Sequence, residues 1–426
     1  MRGLGACAAG MLLTLWVAAL ATAAEPDYPP LLPADGAARQ ALQRSTGVLL
    51  GEEQKAIGAA RNRKFRAGPY EWEAAVMTQD RKDAAGLAYS EQQYELQRRW
   101  RLPGKGILDR RMGQLAVEIG DNAFADAWHE SARSLLAGWF DWLREEESAQ
   151  VLTAQAEIGR REVEAVAKRV SRGDAARIDL QRIEVEQGRL VVLQAESARK
   201  AEAARLALLQ DFPDLDLRPP AHHPLPAPVE GTDEEWIARI VEENHEIELA
   251  QGIADEAGLA ATRARRDRLP DPLIGLHYSD NIDQNRRNMG VRLSIPLGVS
   301  ARGAEAALAR SHANIAAAES SQVRRKVESD ARLDLLNARS KRSQWERLSV
   351  SAVQATAAAA AIGKAYEVGE VGMAEWLSAR RQQLEASLEA GAASLSAHEA
   401  MARLRLDAHQ IWAPGHEEGH SPHQDH

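Results

Sequence analysis

The fold of this chain is decided by residues 304–366, which read AEAALARSHANIAAAESSQVRRKVESDARLDLLNARSKRSQWERLSVSAVQATAAAAAIGKAY. These 63 residues contain no proline, and alanine is frequent, as in the run at residues 357–361. A continuous helix of that size would be roughly 95 Å long at about 1.5 Å per residue, which exceeds any compact globular domain. The stretch therefore predicts a helical bundle or a helical tube.

The spacing of apolar residues supports the helical prediction. Steps of three, four and seven residues place one set on a single stripe of a helix. Its members are Val323, Val327, Ala331, Leu335, Ala338, Trp345 and Leu348. Their counterparts in the first half of the chain are Phe124, Trp128, Leu135, Trp139 and Trp142. Thr232 with Glu235 forms a capping box, which marks the start of a further helix before Ile237.

The end of the long stretch has a second copy earlier in the chain. Residues 170–174, VSRGD, align with residues 366–370, YEVGE, at an offset of 196. Upstream, residues 100–103 align with residues 293–296 at an offset of 193, as expected if loop lengths changed after duplication. Each half is predicted to contain a helix, a β-hairpin and then long helices. The fold class is therefore mainly α with a small β part.

Five segments follow from this duplication. They are a signal peptide at 1–24, a first repeat at 25–212 with a hairpin at about 69–103, a Pro-rich linker at 213–230, a second repeat at 231–413 with a hairpin at about 272–298, and a tail at 414–426. The linker contains six prolines and cannot be helical.

The first 24 residues have the pattern of an export signal. Arg2 precedes an apolar run at residues 4–20, and the small residues Ala-Thr-Ala-Ala at 21–24 suit signal peptidase. A membrane anchor is the alternative, but the run is shorter than the roughly 20 residues of a spanning helix. The sole cysteine, Cys7, lies inside this segment, so the exported chain has neither a disulfide nor a thiolate ligand.

The strand segments alternate between apolar and polar residues with a period of two. In the second half Met289, Val291, Leu293, Ile295 and Leu297 share one side, and in the first half Tyr94, Leu96, Trp100 and Leu102 do. Arg98 interrupts the first-half pattern. A soluble, half-buried sheet has the same pattern, but an exported chain with strands of this length also fits an outer-membrane barrel. Four strands cannot close a barrel, so two chains would supply eight strands or three chains twelve.

Several other classes of protein are disfavoured. The net charge of −9 and the absence of a basic tract argue against general nucleic-acid binding. No phosphate-binding glycine loop, nucleophile elbow or His-Glu-x-x-His zinc motif is present, so the chain is not expected to be an enzyme or to need a cofactor. A periplasmic adaptor would have one helical hairpin instead of two strand-plus-helix repeats. A structural coiled-coil protein of the periplasm remains an alternative, although it would not need four amphipathic strands.

With its duplicated plan, the sequence resembles the outer-membrane efflux protein family typified by TolC. The resemblance is carried by VRLSIPL at 291–297, NHEIELA at 244–250, and YEVGE at 366–370 running into Glu375-Trp376-Leu377. It covers about residues 37–412. The resemblance implies a homotrimer with a twelve-stranded barrel in the outer membrane of a Gram-negative bacterium and a long periplasmic α-helical barrel. It also implies a passive exit duct that works with a periplasmic adaptor and an inner-membrane pump.

The resemblance further implies a gate at the periplasmic tip of the helices. Gly173 and Gly369 are the matching turns, and Asp179 and Glu375 match acidic residues near the aperture. Arg177 and Arg182 are available for ion pairs at the gate. Ser378 occupies the position at which the second repeat of this family often has a second acidic residue, so the sequence departs from the family's double acidic ring. The alternative is that these acids are ordinary solvated charges on a helix surface.

The tail after Pro414 contains four imidazoles. His416, His420, His423 and His426 are accompanied by three carboxylates, and His222 and His223 form a pair in the linker. Neutral imidazole suits Zn, Cu, Ni or Co, whereas a polar terminus with coincidental histidines is the plain alternative. Together with the resemblance, the tail favours divalent heavy-metal cations as substrates, as in the cation-efflux branch of resistance-nodulation-division pumps. Multidrug efflux or type I secretion through the same fold is the alternative.

Overall fold

The structure is a computed structural model that describes residues 29, 31–82, 84–86, 88–220, 224–281, 286–298 and 300–414. The first half contains α1 (Asp35–Gln43), α2 (Thr46–Ala67), β1 (Glu73–Lys82), β2 (Ala88–Arg99), α3 (Lys105–Ser171) and α4 (Arg177–Asp211). The second half contains α5 (Asp233–Glu242), α6 (His245–Arg266), β3 (Leu273–Asn281), β4 (Arg286–Ser294), α7 (Ser300–Glu367) and α8 (Met373–Asp407). The predicted signal peptide, the four tail histidines and the pair His222–His223 lie outside the described residues.

The two halves have the same order of elements and nearly the same element lengths. The helices α3 and α7 have 67 and 68 residues, and α4 and α8 have 35 residues each. At about 1.5 Å per residue the two longest helices measure roughly 100 Å. The molecule is therefore mainly α-helical. In each half a β-hairpin lies in sequence between the short and the long helices, and the two hairpins form one small sheet. Within the described residues, no helix combines the length and apolar character of a membrane span.

Side chains at the helix starts explain several boundaries. Ser45 accepts a hydrogen bond from the Val48 amide ahead of α2, and Asn244 accepts one from Ile247 ahead of α6. The predicted capping box of Thr232 and Glu235 is confirmed at the start of α5. These oxygens satisfy amide groups that have no partner within the helix.

The four strands form one antiparallel sheet in the order β1-β2-β3-β4. The two hairpins are joined through β2 and β3, where Leu96 faces Leu276 and Tyr94 faces Tyr278. In the described chain β1 and β4 each have a strand on one side only, so both remain open edges.

The strands are shorter than the alternation of residues predicts. Trp100 and Leu102 lie beyond the end of β2, and Ile295 and Leu297 lie beyond the end of β4. Prolines at 103, 272 and 296 cannot donate a ladder hydrogen bond, which limits pairing at this end of the sheet. The last contact there is the hydrogen bond of 2.8 Å from the Trp100 amide to the Pro272 carbonyl.

The main core lies where α3 meets both ends of the described chain. Trp128, Trp139, Phe140 and Trp142 of α3 pack with residues that include Leu31, Leu42, Leu395 and Trp412. A second cluster joins α5, α6, α7 and α8 and contains four residues of the predicted stripe. These are Val327, Ala331, Leu335 and Ala338, and their burial confirms that part of the stripe.

Candidate functional site

Two turns at one end of the long helices have the same hydrogen bonds. The Gly173 amide donates to the Val170 carbonyl, and the Asp174 amide donates to Arg169, at 3.0 and 2.8 Å. At the second turn Gly369 donates to Tyr366 and Glu370 to Ala365, at 3.1 and 2.9 Å. This is the Schellman pattern, which requires a left-handed residue, and Gly173 and Gly369 have φ of 83° and 81°.

The predicted gate residues follow these turns directly. Asp179 lies in the first turn of α4 and Glu375 in the first turn of α8, where the helix dipole favours negative charge. Asp179 is half-buried, and its Oδ1 lies 3.9 Å from Nη1 of Arg182. Arg177 and Glu375 are exposed, and Ser378 is half-buried. Among the described residues Glu375 has no ion pair, so its carboxylate faces solvent in the single chain.

A small apolar cluster joins the two helical hairpins next to the turns. Val166 of α3 and Ile183 of α4 pack against Met373 and Leu377 of α8. The positions of Asp179 and Glu375 are therefore tied together by a packed contact, although the two acids are 196 residues apart in sequence.

Sequence reasoning missed an aromatic stack at this tip. The rings of Tyr366 and Trp376 lie 5.0 Å apart and only 5° from parallel, which links the end of α7 to the start of α8. Arg169 lies over Tyr366 and Arg380 over Trp376, at 5.7 and 5.6 Å from the ring centroids. Burial raises the pKa of the Tyr366 phenol, so the ring carries no charge at neutral pH. The available signal was the replacement of Val170 and Leu180 by Tyr366 and Trp376 in the second repeat.

Ion pairs extend the contact between the hairpins. Arg380 of α8 pairs with Glu162 of α3, and Arg381 reaches Glu186 of α4 at 3.6 Å. Arg189 of α4 lies 3.4 Å from Glu385 of α8. The tip is thus held by packing, stacked rings and charge pairs. Among the described residues, its exposed charges without an ion pair include the carboxylate of Glu375 and the guanidinium of Arg177. Across the described part of the chain, no group of three or more His, Cys, Asp or Glu is arranged to hold a metal ion.

The sheet at the other end of the helices has one apolar face and one polar face. The register assigns to the apolar face Val76, Tyr94, Leu96, Ile274, Leu276, Tyr278, Met289, Val291 and Leu293. It assigns to the polar face Glu73, Glu91, Gln93, Glu95, Gln97, His277, Ser279, Asn288 and Arg292. Near the hairpin turns the first face becomes polar, with Asp280 opposite Arg287.

Exposure on the sheet is inverted relative to a soluble protein. On the two central strands, Leu96 and Leu276 of the apolar face are 44% and 49% exposed, whereas Glu91 and Ser279 of the polar face are 9% and 4% exposed. Every residue of the edge strand β4 is exposed on either face. The polar side chains also bind one another, as in the 2.6 Å pair of Arg292 with Glu95 and the 3.0 Å hydrogen bond from Gln79 to Glu91. Contiguous exposed apolar surface of this kind is typical of a face that meets lipid or another protein.

Arg98, which interrupts the apolar face, is held at the end of the sheet nearest the helices. Its guanidinium donates to the Tyr70 carbonyl at 3.2 Å and lies over the rings of Trp72 and Trp100. The two indoles pack edge to face with centroids 6.4 Å apart. Because the long side chain of Arg98 reaches toward the aromatic pair, its charge stays away from the apolar face of the sheet.

Comparison with known proteins gave matches at the level of structure. No protein-family model matches the sequence, and no curated protein matches it. The chain is similar to the CmeC outer membrane channel of Campylobacter jejuni, with a TM-score of 0.74 and 13% identity over 88% of this chain and 85% of that one. It is also similar to the outer membrane protein VceC of Vibrio cholerae, with a TM-score of 0.73 and 12% identity over 88% and 95% of the two chains.

A third similar structure is the open state of the MtrE outer membrane channel of Neisseria gonorrhoeae. Its TM-score is 0.69 at 18% identity, and the match covers 88% of each chain. The chain spans most of the length of all three proteins. It therefore has the fold of these outer-membrane channels.

Proposed function

We propose that this chain is the outer-membrane exit duct of a tripartite efflux system and a member of the TolC-type family. In this proposal three copies form a twelve-stranded barrel in the outer membrane, and their long helices form a conduit across the periplasm. In this proposal the duct is passive, as the family resemblance implies. A periplasmic adaptor and an inner-membrane pump supply substrate and energy.

The observation that carries the proposal is the inverted exposure of the sheet. On the central strands Leu96 and Leu276 are exposed on the apolar face, while Glu91 and Ser279 are buried on the polar face. Lipid would cover the first face, and the second would line a water-filled interior, as in membrane barrels. The strands have 9 to 12 residues, which suits the roughly 9–11 residues of a tilted membrane strand. Trp72, Trp100 and Arg98 would lie at the membrane interface.

The open edges of the sheet support closure by further copies. An unpaired edge in lipid would leave several backbone groups without a hydrogen bond, at several kcal/mol each. Pairing β1 of one copy with β4 of the next removes both edges. Two copies would make eight strands and three would make twelve, and the family resemblance favours three.

We further propose that the tip turns line the periplasmic aperture and that the substrates are divalent heavy-metal cations. With threefold symmetry Glu375 and Asp179 would each become a ring of three carboxylates, which attracts cations. The histidines of the tail, His416, His420, His423 and His426, suit the same class of ion.

The sheet proposal is tested with a matched pair of substitutions in β4. Val291→Arg places a charge on the apolar face, which costs about 2–4 kcal/mol near the centre of a bilayer. Asn288→Arg places the same charge on the polar face. Floating the chain with lipid vesicles should show lost insertion for the first variant and normal insertion for the second. Equal insertion of both variants would contradict a lipid-facing apolar face.

The aperture proposal is tested by conductance in planar bilayers. Glu375→Gln should lower the permeability ratio of cations to anions, because three carboxylates disappear together. Glu389→Gln changes an exposed acid farther along the same helix and serves as the control. If the permeability ratio of Glu375→Gln were unchanged, Glu375 would not line the conduction path.

Substrate class is tested by growth of a deletion strain on Zn, Co, Cd, Ni, Cu and Ag salts beside dyes and antibiotics. Sensitivity confined to metals is the expected result. Complementing the deletion strain with a chain that lacks residues 415–426 tests the tail. If this chain did not restore growth, the tail would be needed for efflux. Sensitivity to drugs alone would move the assignment to multidrug efflux.

A further inference from the structure

Three histidines from distant parts of the sequence meet beside the main core. His129 lies on α3, His245 is the first residue of α6, and His409 follows the end of α8. The ring of His409 lies between the other two, with centroids 5.3 Å from His129 and 5.0 Å from His245. This group, called here the histidine cluster, joins the first repeat, the second repeat and the last residues of the described chain.

The backbone at His409 adopts a left-handed conformation like that of the two glycines at the tip turns. The end of α8 has the same Schellman bonds as the tip turns, from His409 to Leu406 and from Gln410 to Arg405, both at 2.9 Å. At the tip turns this position is glycine, but here it is histidine with φ of 56°. A non-glycine residue in this region costs on the order of 1 kcal/mol, although histidine is among the residues that adopt it more often.

Asp407 anchors one side of the cluster. Its buried carboxylate lies 3.1 Å from Nε2 of His129 and accepts hydrogen bonds from Arg133 at 2.9 Å and Arg403 at 3.0 Å. Burial alone would raise the pKa of Asp407, but the His129 hydrogen bond and the two guanidinium charges hold it well below its usual range. On the other side of the cluster, imidazole nitrogens lack hydrogen bonds. Nδ1 of His409 is buried without a hydrogen-bond partner in the described structure. Nδ1 of His245 lies 3.5 Å from the Glu248 carboxylate but makes no hydrogen bond to it.

Other charged groups surround the cluster on every helix packed against it. They are Asp126, Glu130 and Arg133 on α3, Glu246 and Glu248 on α6, Lys326, Asp330 and Asp334 on α7, and Arg403 and Asp407 on α8. Burial, with the nearby charge of Asp407, raises the pKa of Asp334 to about 6. Burial also raises the pKa of Asp126. Acidification therefore removes negative charge from around the imidazoles before it removes the charge of Asp407.

The residues after His409 run from the cluster onto the main core. Trp412 is completely buried in the main core, and its carbonyl accepts a hydrogen bond of 2.7 Å from Nε1 of Trp128. Arg39 of α1 donates to the carbonyl of Ala413. The segment 409–413 is thus a strap that crosses from α8 onto α3 and α1.

We propose that the histidine cluster is a proton-operated latch for the strap of residues 409–413. When His409 is neutral, the three rings pack and the strap is closed. Protonation of His409 puts a positive charge between two imidazoles and near Arg133, on a half-buried ring whose Nδ1 has no hydrogen-bond partner. The ring then leaves the cluster for water, and the strap with Trp412 opens.

The sign of the pH effect follows from the direction in which the pKa of His409 is shifted. Burial and the neighbouring His129 and His245 lower the pKa of His409 to about 4, from about 6.5 in an unfolded chain. A group with a lowered basic pKa stabilises the closed strap fully above pH 6.5, and this contribution is lost as the pH falls toward 4. Asp334 acts in the opposite direction, because its raised pKa favours the folded state in acid. Comparison with a His409 variant separates the two effects.

The experiment is amide hydrogen exchange of the full chain between pH 7.5 and 4.5, with each rate divided by its intrinsic value. In the wild type, protection of residues 405–413 should fall by up to about tenfold per pH unit below pH 6.5. His409→Asn tolerates the left-handed backbone but does not titrate, so its protection should change much less with pH. The glycine turns at 173 and 369 serve as internal controls. The same pH response in both proteins would overturn the latch.

A second variant keeps the test decisive if His409→Asn fails to fold. His245→Gln removes one neighbouring imidazole and leaves His409 in place, so protonation of His409 becomes easier. The midpoint of strap opening should move to higher pH. An unmoved midpoint would show that the rings do not act together. The latch does not depend on the proposed transport function, and neither test uses transport as its readout.

Discussion

At the scale of single residues, backbone conformation explains why particular side chains occupy the helix ends. Gly173 and Gly369 adopt a left-handed conformation that glycine adopts without strain, and a Cβ at either would meet no atom within 4 Å. Any penalty for a larger residue there comes from the backbone alone. His409 accepts the same conformation, which sets it apart from the two tip turns.

Gly369→Ala should therefore lower the free energy of unfolding by about 1 kcal/mol, since alanine disfavours positive φ. Thermal unfolding followed by circular dichroism measures the change. The matched control is Gly188→Ala, in the exposed interior of α4, where a Cβ also meets nothing within 4 Å. There alanine should stabilise by about 0.5–1 kcal/mol. A similar effect at both positions would mean that the tip turn is not constrained.

At the scale of elements, glycines bring α2 against α3. A Cβ on Gly58 would lie 2.4 Å from the Ala116 carbonyl oxygen, and one on Gly120 would lie 2.9 Å from the Gln54 carbonyl oxygen. These atoms belong to the backbone and cannot move aside without shifting a helix. The close approach lets two otherwise weakly amphipathic helices pack along their length.

Gly58→Ala should destabilise the chain by about 1–3 kcal/mol, because the added methyl group forces α2 and α3 apart. Gly36→Ala in α1 is the control, since a Cβ there meets nothing within 4 Å. Denaturant unfolding compares the two variants with the wild type. If Gly58→Ala were neutral, the helix contact would be looser than the backbone distances indicate.

At the scale of the whole molecule, a buried charge cluster joins the two repeats below the sheet. Nζ of Lys105, at the start of α3, lies 2.9 Å from Asp271 ahead of β3, and both side chains are almost completely buried. Burial would raise the pKa of Asp271, but hydrogen bonds from the Leu102 amide, Lys105 and Tyr70 hold it below its usual range. Arg101 and Arg263 bind the neighbouring Asp109 at 2.7 Å each.

Lys105→Met should cost about 3–5 kcal/mol, because it leaves Asp271 buried without its cation. The double variant with Asp271→Asn should recover part of that loss, since the uncompensated charge disappears. Lys326→Met breaks an exposed pair with Glu246 and should cost less than about 1 kcal/mol. Unfolding in denaturant measures all three. Equal losses for the two lysines would contradict a special role for the buried pair.

The amino-acid sequence by itself determined the helical content, the duplication and the two-faced character of the strands. These features are local: helix length follows from the absence of proline and the apolar stripe, and the faces of a strand follow from its period of two. The capping box at Thr232 and the left-handed glycines at the tip turns are also set by neighbours within a few residues.

Only the tertiary structure decided which distant residues meet. Four contacts depend on how helices and hairpins pack. They are the stacking of Tyr366 on Trp376, the position of Arg98 over two indoles, the ion pair of Lys105 with Asp271, and the contact of His129 and His245 with His409. Local spacing does not encode the contacts of Lys105 with Asp271 or of His409 with His129 and His245, because they join elements that are brought together by burial of apolar surface elsewhere in the chain. The two aromatic contacts form within a predicted hairpin or across a predicted turn, but their geometry depends on how the elements pack.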